Sequence, residues 1–184
     1  IKAKLPSLEY IEARDYSKIY YRYYLANSNI ILVLLHGVAE DNKYLFRLAE
    51  YLSKNDIAHV YTPNLRGYGD KVDRRGDVDY IGQIEDDLAD FLNWLKSRNP
   101  NAQIILGGHS LGGASTLRFS SSLYQHLVDG YVFISPYIEG APYIKKMHSK
   151  VSYLNFTLLT TLENLKIRKV HYKKIYTSYK EKKY

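Results

Sequence analysis

The sequence predicts an α/β domain, with a mostly parallel central sheet and helices on both faces. Three observations predict it. The segment Ile30-Ile31-Leu32-Val33-Leu34-Leu35 is an unbroken β-branched and Leu run, which suits a strand buried on both sides. Strand-like and helix-like segments alternate from about residue 20 to residue 135. Ile84, Leu88, Phe91, Leu92 and Leu95 fall at i, i+4, i+7, i+8 and i+11, one apolar stripe along a helix.

The elements follow in order. Residues 20–25 read as an early strand and residues 30–35 as the buried one, which His36-Gly37-Val38 breaks. Leu45, Leu48, Ala49 and Leu52 then return at helical spacing. Residues 58–62 form a short strand ended by Pro63 and Asn64, and residues 66–79 a loop rich in Gly and Asp. The helix over residues 84–95 carries Asp and Glu near its start, where the helix dipole favours them, and Asn99-Pro100-Asn101 stops it. Asp86, Asp87 and Asp90 are placed on its outer face. Residues 103–106 make a strand, 107–113 a glycine-rich turn, 114–123 a helix and 131–135 a strand closed by Pro136. Residues 1–142 thus form the core, and residues 143–184 a cap-like helical segment with a basic Lys/Tyr-rich tail.

Composition limits what this domain can do. At 184 residues with 46% hydrophobic and 24% charged residues, the chain has ordinary globular make-up and the length of a single domain. It has no Cys, which excludes disulfides, thiolate metal sites and a Cys nucleophile. The longest apolar run is far too short to cross a bilayer. No signal-peptide pattern opens the chain, and a cytoplasmic location is the expectation. The net charge of +7 resides in residues 166–184, which hold eight Lys/Arg and one Glu; the rest of the chain balances to zero. A basic isoelectric point of this origin does not make the domain a nucleic-acid binder, and none is expected. The tail itself aligns Tyr172, Ile175, Tyr176 and Tyr179 on one helical face with lysines mostly elsewhere. That pattern fits an anionic membrane surface as a partner, with a plain solvated or frayed helix as the simpler reading. No His pair brackets a Glu at i, i+4, and no phosphate-binding glycine loop is present, so neither metal nor cofactor is expected.

Chemistry concentrates in Gly108-His109-Ser110-Leu111-Gly112, a G-x-S-x-G pentapeptide between a predicted strand and a predicted helix. A sharp turn there pushes the Ser side chain out of the sheet, and glycine is needed on either side because a Cβ would meet neighbouring backbone. The Leu111 amide, at a helix N-terminus, points at charge developing on a substrate oxygen. His36-Gly37-Val38 follows the most buried strand and faces the same crevice, so the Val38 amide can supply the other half of an oxyanion hole.

Four stretches occur in a fixed order: Leu34-Leu35-His36-Gly37-Val38-Ala39-Glu40, Asn64-Leu65-Arg66-Gly67-Tyr68-Gly69, Gly107-Gly108-His109-Ser110-Leu111-Gly112-Gly113 and Phe133-Ile134-Ser135-Pro136. Together they resemble the α/β-hydrolase superfamily, and within it the monoacylglycerol lipase and lysophospholipase group, from about residue 20 to residue 142. The resemblance implies an α/β-hydrolase fold and a serine hydrolase that cleaves carboxylic esters. It implies Ser110 as the nucleophile that carries the acyl group, the amides of Val38 and Leu111 as the oxyanion hole, and a small ester or lipid as substrate.

A serine nucleophile needs a base, and the base an orienting acid, in the chain order Ser, acid, His for this fold. The carboxylates after Ser110 are Asp129, Glu139, Glu163 and Glu181, and the histidines His126, His148 and His171. Asp129 and His126 precede the strand at 131–135 and so lie at its wrong end. Glu139 follows that strand and is the best-placed acid, with a solvated loop residue as the plain alternative. His148 and His171 stay open as bases, with a plain surface His as the simpler reading of each. His36 and His109 take packing or loop roles by the resemblance, and His59 reads as structural. In the resembled group the Ser-Pro pair leads into a helical cap, and two later strands carry the remaining catalytic residues. Here Leu154, Leu158, Leu159, Leu162 and Leu165 fit the start of a cap, but no strand followed by Gly-x-x-Asp and no final Gly-His turn appears. The expectation is a hydrolase pattern that stops after the start of the cap, with an open sheet edge that promotes self-association. The competing expectation is a relative that keeps the nucleophile turn without acid and base and serves as a binding or membrane-surface module.

Overall fold

A computed structural model describes residues 5–138 apart from residue 73. Six strands form one sheet: β1 (Glu9–Glu12), β2 (Lys18–Tyr24), β3 (Ile30–Leu35), β4 (His59–Pro63), β5 (Gln103–His109) and β6 (Gly130–Ile134). Their order is β1-β2-β4-β3-β5-β6. Strands β4, β3, β5 and β6 run parallel, while β2 pairs antiparallel with both β4 and β1. Each successive parallel strand is reached through a helix: α1 (Phe46–Lys54) lies between β3 and β4 in the chain, α2 (Gln83–Arg98) between β4 and β5, and α3 (Leu111–Ser120) between β5 and β6.

The side-chain alternation of β3 explains the layering. Ile31, Val33 and Leu35 enter one core with Leu88, Phe91, Leu92 and Leu95 of α2 and Phe119 of α3. Leu32 and Leu34 enter the other, with Tyr24, Val60 and Ala49 of α1. Both faces of β3 are therefore dry, and each fully buried Leu, Ile or Phe contributes about 1.5–3 kcal/mol. The predicted mostly parallel sheet with helices on both faces is the observed one. The loops after β3, β4, β5 and β6 all emerge at one edge of the sheet, the carboxyl ends of the parallel strands.

Three expectations need correction. Strand β1 is absent from the sequence reading because only Ile11 of its four residues is buried, too little alternation to register. Residues 107–113 are not a loop: β5 continues through His109, α3 opens at Leu111, and only Ser110 lies between them. Gly107 and Gly108 stay extended because each is paired on both sides, Gly108 with Leu35 of β3 and Phe133 of β6. Finally, Asp86 and Asp87 of α2 do not face solvent. Asp86 accepts from the hydroxyls of Tyr80 (2.6 Å) and Tyr124 (2.8 Å), Asp87 pairs with Arg66, and Asp90 pairs with Arg14 (2.8 Å). A run of carboxylates looks solvated in one dimension, but the two β1–β2 and β4–α2 connections bring arginines onto that face. The cap-like segment and the basic tail lie outside the described residues. No described helix is long and apolar enough to cross a membrane.

Candidate active site

Ser110 is held at φ 52°, ψ −112°, a backbone conformation sparsely populated by any residue with a Cβ and costing about 1–3 kcal/mol. The surroundings enforce it. The Ser110 amide donates to the Ile134 carbonyl at the end of β6 (3.1 Å), and its carbonyl accepts from the amides of Ala114 (2.9 Å) and Tyr137 (3.0 Å). The turn is so tight that a Cβ on Gly108 would lie 2.3 Å from the Gly112 carbonyl carbon. One on Gly112 would lie 2.5 Å from the Leu35 oxygen. These glycines are required by approach of backbone to backbone, as the pentapeptide implied.

The loop after β3 closes on this turn. A Cβ on Gly37 would stand 3.5 Å from the Ser110 Cβ and 3.3 Å from His109 Nδ1. Val38 follows and is 46% exposed. Leu111 is the first residue of α3, where amides have no partner within the helix and the helix dipole is positive. Val38, through its neighbour Gly37, thus lies on the same side of the sheet as Ser110 and Leu111. Such an arrangement can present a hydroxyl, a helix-terminal amide and a loop amide to one carbonyl group.

The histidines divide by their partners. His36 is 2% exposed. Its Nε2 accepts from the Leu65 amide (3.0 Å), so Nδ1 carries the proton and donates to the Gly37 carbonyl (2.7 Å). Burial pushes its pKa below the usual imidazole value and keeps the ring neutral. With both nitrogens engaged, His36 is a brace and not a base. His109 packs its ring 5.4 Å from that of Tyr44, and its Nδ1 is buried without a partner among the described residues. His59 Nδ1 lies 2.9 Å from the Tyr23 hydroxyl and accepts from the Ala26 amide (3.2 Å), a structural role as expected. His126 caps Leu123 O (3.0 Å), and Asp129 accepts from the Ile104 amide (2.8 Å), both at the amino ends of strands, away from Ser110. Among the described residues, no imidazole is hydrogen-bonded to Ser110. Glu139, His148 and His171 lie outside the described residues.

Sequence reasoning missed the ion pair that holds the rim. Arg66 grips Asp87 through Nε (2.7 Å) and NH2 (2.6 Å) and also reaches Asp15 (2.9 Å) and the Ser17 hydroxyl (2.8 Å). Opposite charges 21 positions apart carry no local signal; only the crossover between β4 and α2 joins them. Beyond Tyr68, whose ring meets His36 edge-on at 5.4 Å, a cavity of about 720 Å³ opens, lined in part by Tyr16, Lys18, Tyr20, Arg66 and Lys71.

With this geometry in place, comparison with known proteins decides the family. Residues 26–183 match the family described as serine aminopeptidase, S33. The chain belongs to this family of α/β hydrolases. Among curated relatives, it is 31% identical to the lysophosphatidylserine lipase ABHD12 of Mus musculus over 109 residues, 59% of this chain and 26% of that protein. It is 28% identical to the monoglyceride lipase of Rattus norvegicus over 132 residues, 70% of this chain and 42% of that protein. Among solved structures, a soluble variant of monoglyceride lipase from Saccharomyces cerevisiae, in complex with a substrate analog, superposes with a TM-score of 0.69 at 23% identity. That match covers 89% of this chain and 53% of the other. The chain thus spans roughly a quarter to two fifths of the length of these curated relatives and about half of that solved structure.

Proposed function

We propose that this protein is a serine hydrolase of carboxylic esters, of the monoacylglycerol or lysophospholipid type, acting through Ser110. The observation that carries this reading is the backbone of Ser110, strained at a turn where Gly108 and Gly112 touch neighbouring backbone. In this family's fold that is the arrangement of a nucleophile elbow. Ser110 Oγ attacks the ester carbonyl carbon as its proton passes to a base. The carbonyl oxygen takes the negative charge and is held by the amides of Val38 and Leu111. Collapse of the tetrahedral intermediate breaks the bond to the alcohol, which leaves with a proton, and water then releases the acid from Ser110 by the same steps. The base and its orienting acid come from outside residues 5–138; Glu139, His148 and His171 are the candidates within this chain.

The substrate class rests on the rim of the turn and on the relatives. Val38, Tyr44 and Ile138 are exposed apolar side chains, each within one residue of a group that touches Ser110 or His109. Such a rim suits an acyl chain. The relatives named above are lipases, whereas the family's own description names an aminopeptidase. We also propose that residues 166–184 bind an anionic membrane surface, and that the β6 edge supports self-association.

Intact-mass labelling with a fluorophosphonate, beside a Ser110→Ala control, tests the nucleophile. One adduct on the wild type, absent from the variant, is the expected result. No adduct on folded protein would leave Ser110 without a base and favour a binding module. Turnover of 4-nitrophenyl acyl esters and aminoacyl 4-nitroanilides, assayed side by side, separates the esterase from the peptidase. Faster cleavage of the anilide overturns the ester reading.

A further inference from the structure

We infer that Asn64 is a positioning residue for the loop that carries the Val38 amide; this rests on the reading of that amide as half of an oxyanion hole. The motif Asn64-Leu65-Arg66-Gly67-Tyr68-Gly69 stands apart from the chemistry proposed above, yet its first two residues pin both ends of the 36–42 loop. At the amino end of the loop, the Leu65 amide donates to His36 Nε2 (3.0 Å). At its carboxyl end, Asn64 Oδ1 accepts both from the Asn42 backbone amide (2.7 Å) and from Asn42 Nδ2 (2.8 Å). One oxygen thus fixes the main chain and the side chain of the same residue.

Asn42 is built to be held. It is 4% exposed, its Oδ1 accepts from Arg22 Nε (2.7 Å), and its carbonyl accepts from the Thr62 hydroxyl (2.9 Å). Asn64 is fixed in turn. Its own amide donates to the Tyr20 carbonyl (2.7 Å). Gly69, at φ +95°, leaves the room that its carboxamide fills: a Cβ there would stand 2.0 Å from Asn64 Nδ2. Between the two pins the loop must turn sharply, with Ala39 at φ 61° and the Glu40 amide 3.4 Å from the Gly37 carbonyl. A loop of this shape, clamped at its ends and exposed at Val38, has its amide direction set by the clamps. Release of the Asn42 end lets Val38 swing, and an oxyanion donor displaced by an ångström costs about a hundredfold in rate.

Asn64→Asp keeps an oxygen that accepts from both Asn42 donors, whereas Asn64→Ala removes it. Gly69→Ala keeps Asn64 but drives its carboxamide out of place. The test has two readouts. Amide hydrogen exchange by NMR at Asn42, with 15N relaxation at Val38 and Ala39, reports the clamp itself and needs no activity. Expected are at least about tenfold faster exchange at Asn42 and greater motion at Val38 in Asn64→Ala and Gly69→Ala, with wild-type behaviour in Asn64→Asp. The second readout is the rate of Ser110 labelling by a fluorophosphonate, expected to fall about tenfold to a hundredfold in the first two variants and to stay near wild type in the third. Unchanged exchange at Asn42, or faster exchange spread evenly over the whole sheet, overturns the positioning role. A wild type that takes no label overturns the hydrolase reading instead, and leaves the exchange result standing as the measure of the clamp. Loosened exchange with unaltered labelling overturns the link between the clamp and Val38.

Discussion

Gly112 lies so close to the carbonyl of Leu35 that a Cβ on it would stand 2.5 Å from that oxygen. The start of α3 is thereby seated on the end of the central strand, and the position of Ser110 follows from that contact. Gly112→Ala is expected to destabilise the protein by about 3 kcal/mol or more, since backbone and not a side chain must yield. Gly107→Ala is the contrast: its Cβ would meet the Val132 side chain and carbonyl at 3.1 Å, and a smaller loss is expected. Urea unfolding monitored by circular dichroism distinguishes the two, and equal losses would count against this packing.

Strain at Ser110 gives an opposite sign. Glycine adopts φ 52°, ψ −112° without a Cβ penalty, so Ser110→Gly is expected to gain about 1 kcal/mol, or about 2–4 °C in Tm, relative to Ser110→Ala. Both variants lack the Ser110 hydroxyl. Differential scanning calorimetry that finds the alanine variant the more stable would remove strain from the account.

His36 sets a pH dependence. Its folded pKa lies below the unfolded value of about 6.5 because the neutral ring is buried. Near and below that pH the unfolded chain therefore binds more protons than the folded one, so this contribution is present above about 6.5 and is lost as pH falls. Asp87 acts in the opposite sense: burial, against the lowering effect of Arg66, pushes its carboxyl up to about 6, so its contribution grows as pH falls below that value. His36→Gln retains an acceptor for the Leu65 amide but does not titrate. Its stability is expected to fall less than that of wild type between pH 7 and pH 5. Parallel curves for the two proteins would rule the imidazole out as the source.

Arg66 and Asp87 form a largely buried two-point pair, with side-chain exposures of 14% and 12%. Arg66→Met leaves a buried carboxylate without its partner and is expected to cost about 3–5 kcal/mol. Arg66→Lys restores charge but not the fork, and an intermediate loss is expected. Chemical denaturation of the three proteins checks the order.

Phe119 of α3 is fully buried under the sheet. Phe119→Ala is expected to cost about 3–5 kcal/mol. Leu123, 83% exposed, is expected to tolerate alanine within about 0.5 kcal/mol. A thermal melt of each variant reads the difference.

The parts of this fold that were legible in sequence are those whose pattern is local. Ile30–Leu35 announces a central strand through composition alone, and the 84–95 stripe announces α2. Ser110 is legible because a turn that excludes Cβ atoms leaves glycines at fixed offsets. What could not be read depends on pairs far apart in the chain. The burial of Asp86 and Asp87 requires Arg14 and Arg66 to arrive from two other connections. The clamp of Asn42 by Asn64 requires β3 and β4 to lie side by side. Gly107 and Gly108 look like a turn because glycine favours turns, yet they are small so that β6 and α3 can come near.

The two-sided burial of β3 also bears on how the molecule comes apart. Ile31, Val33 and Leu35 belong to one core and Leu32 and Leu34 to the other, so neither layer of helices can detach while that strand stays in register. Opening on one face exposes the opposite face as well. The slowest-exchanging amides are therefore those of β3 and its neighbours β4 and β5, with a single opening energy shared by both layers, and the loops at their carboxyl ends ride on the last part of the protein to melt.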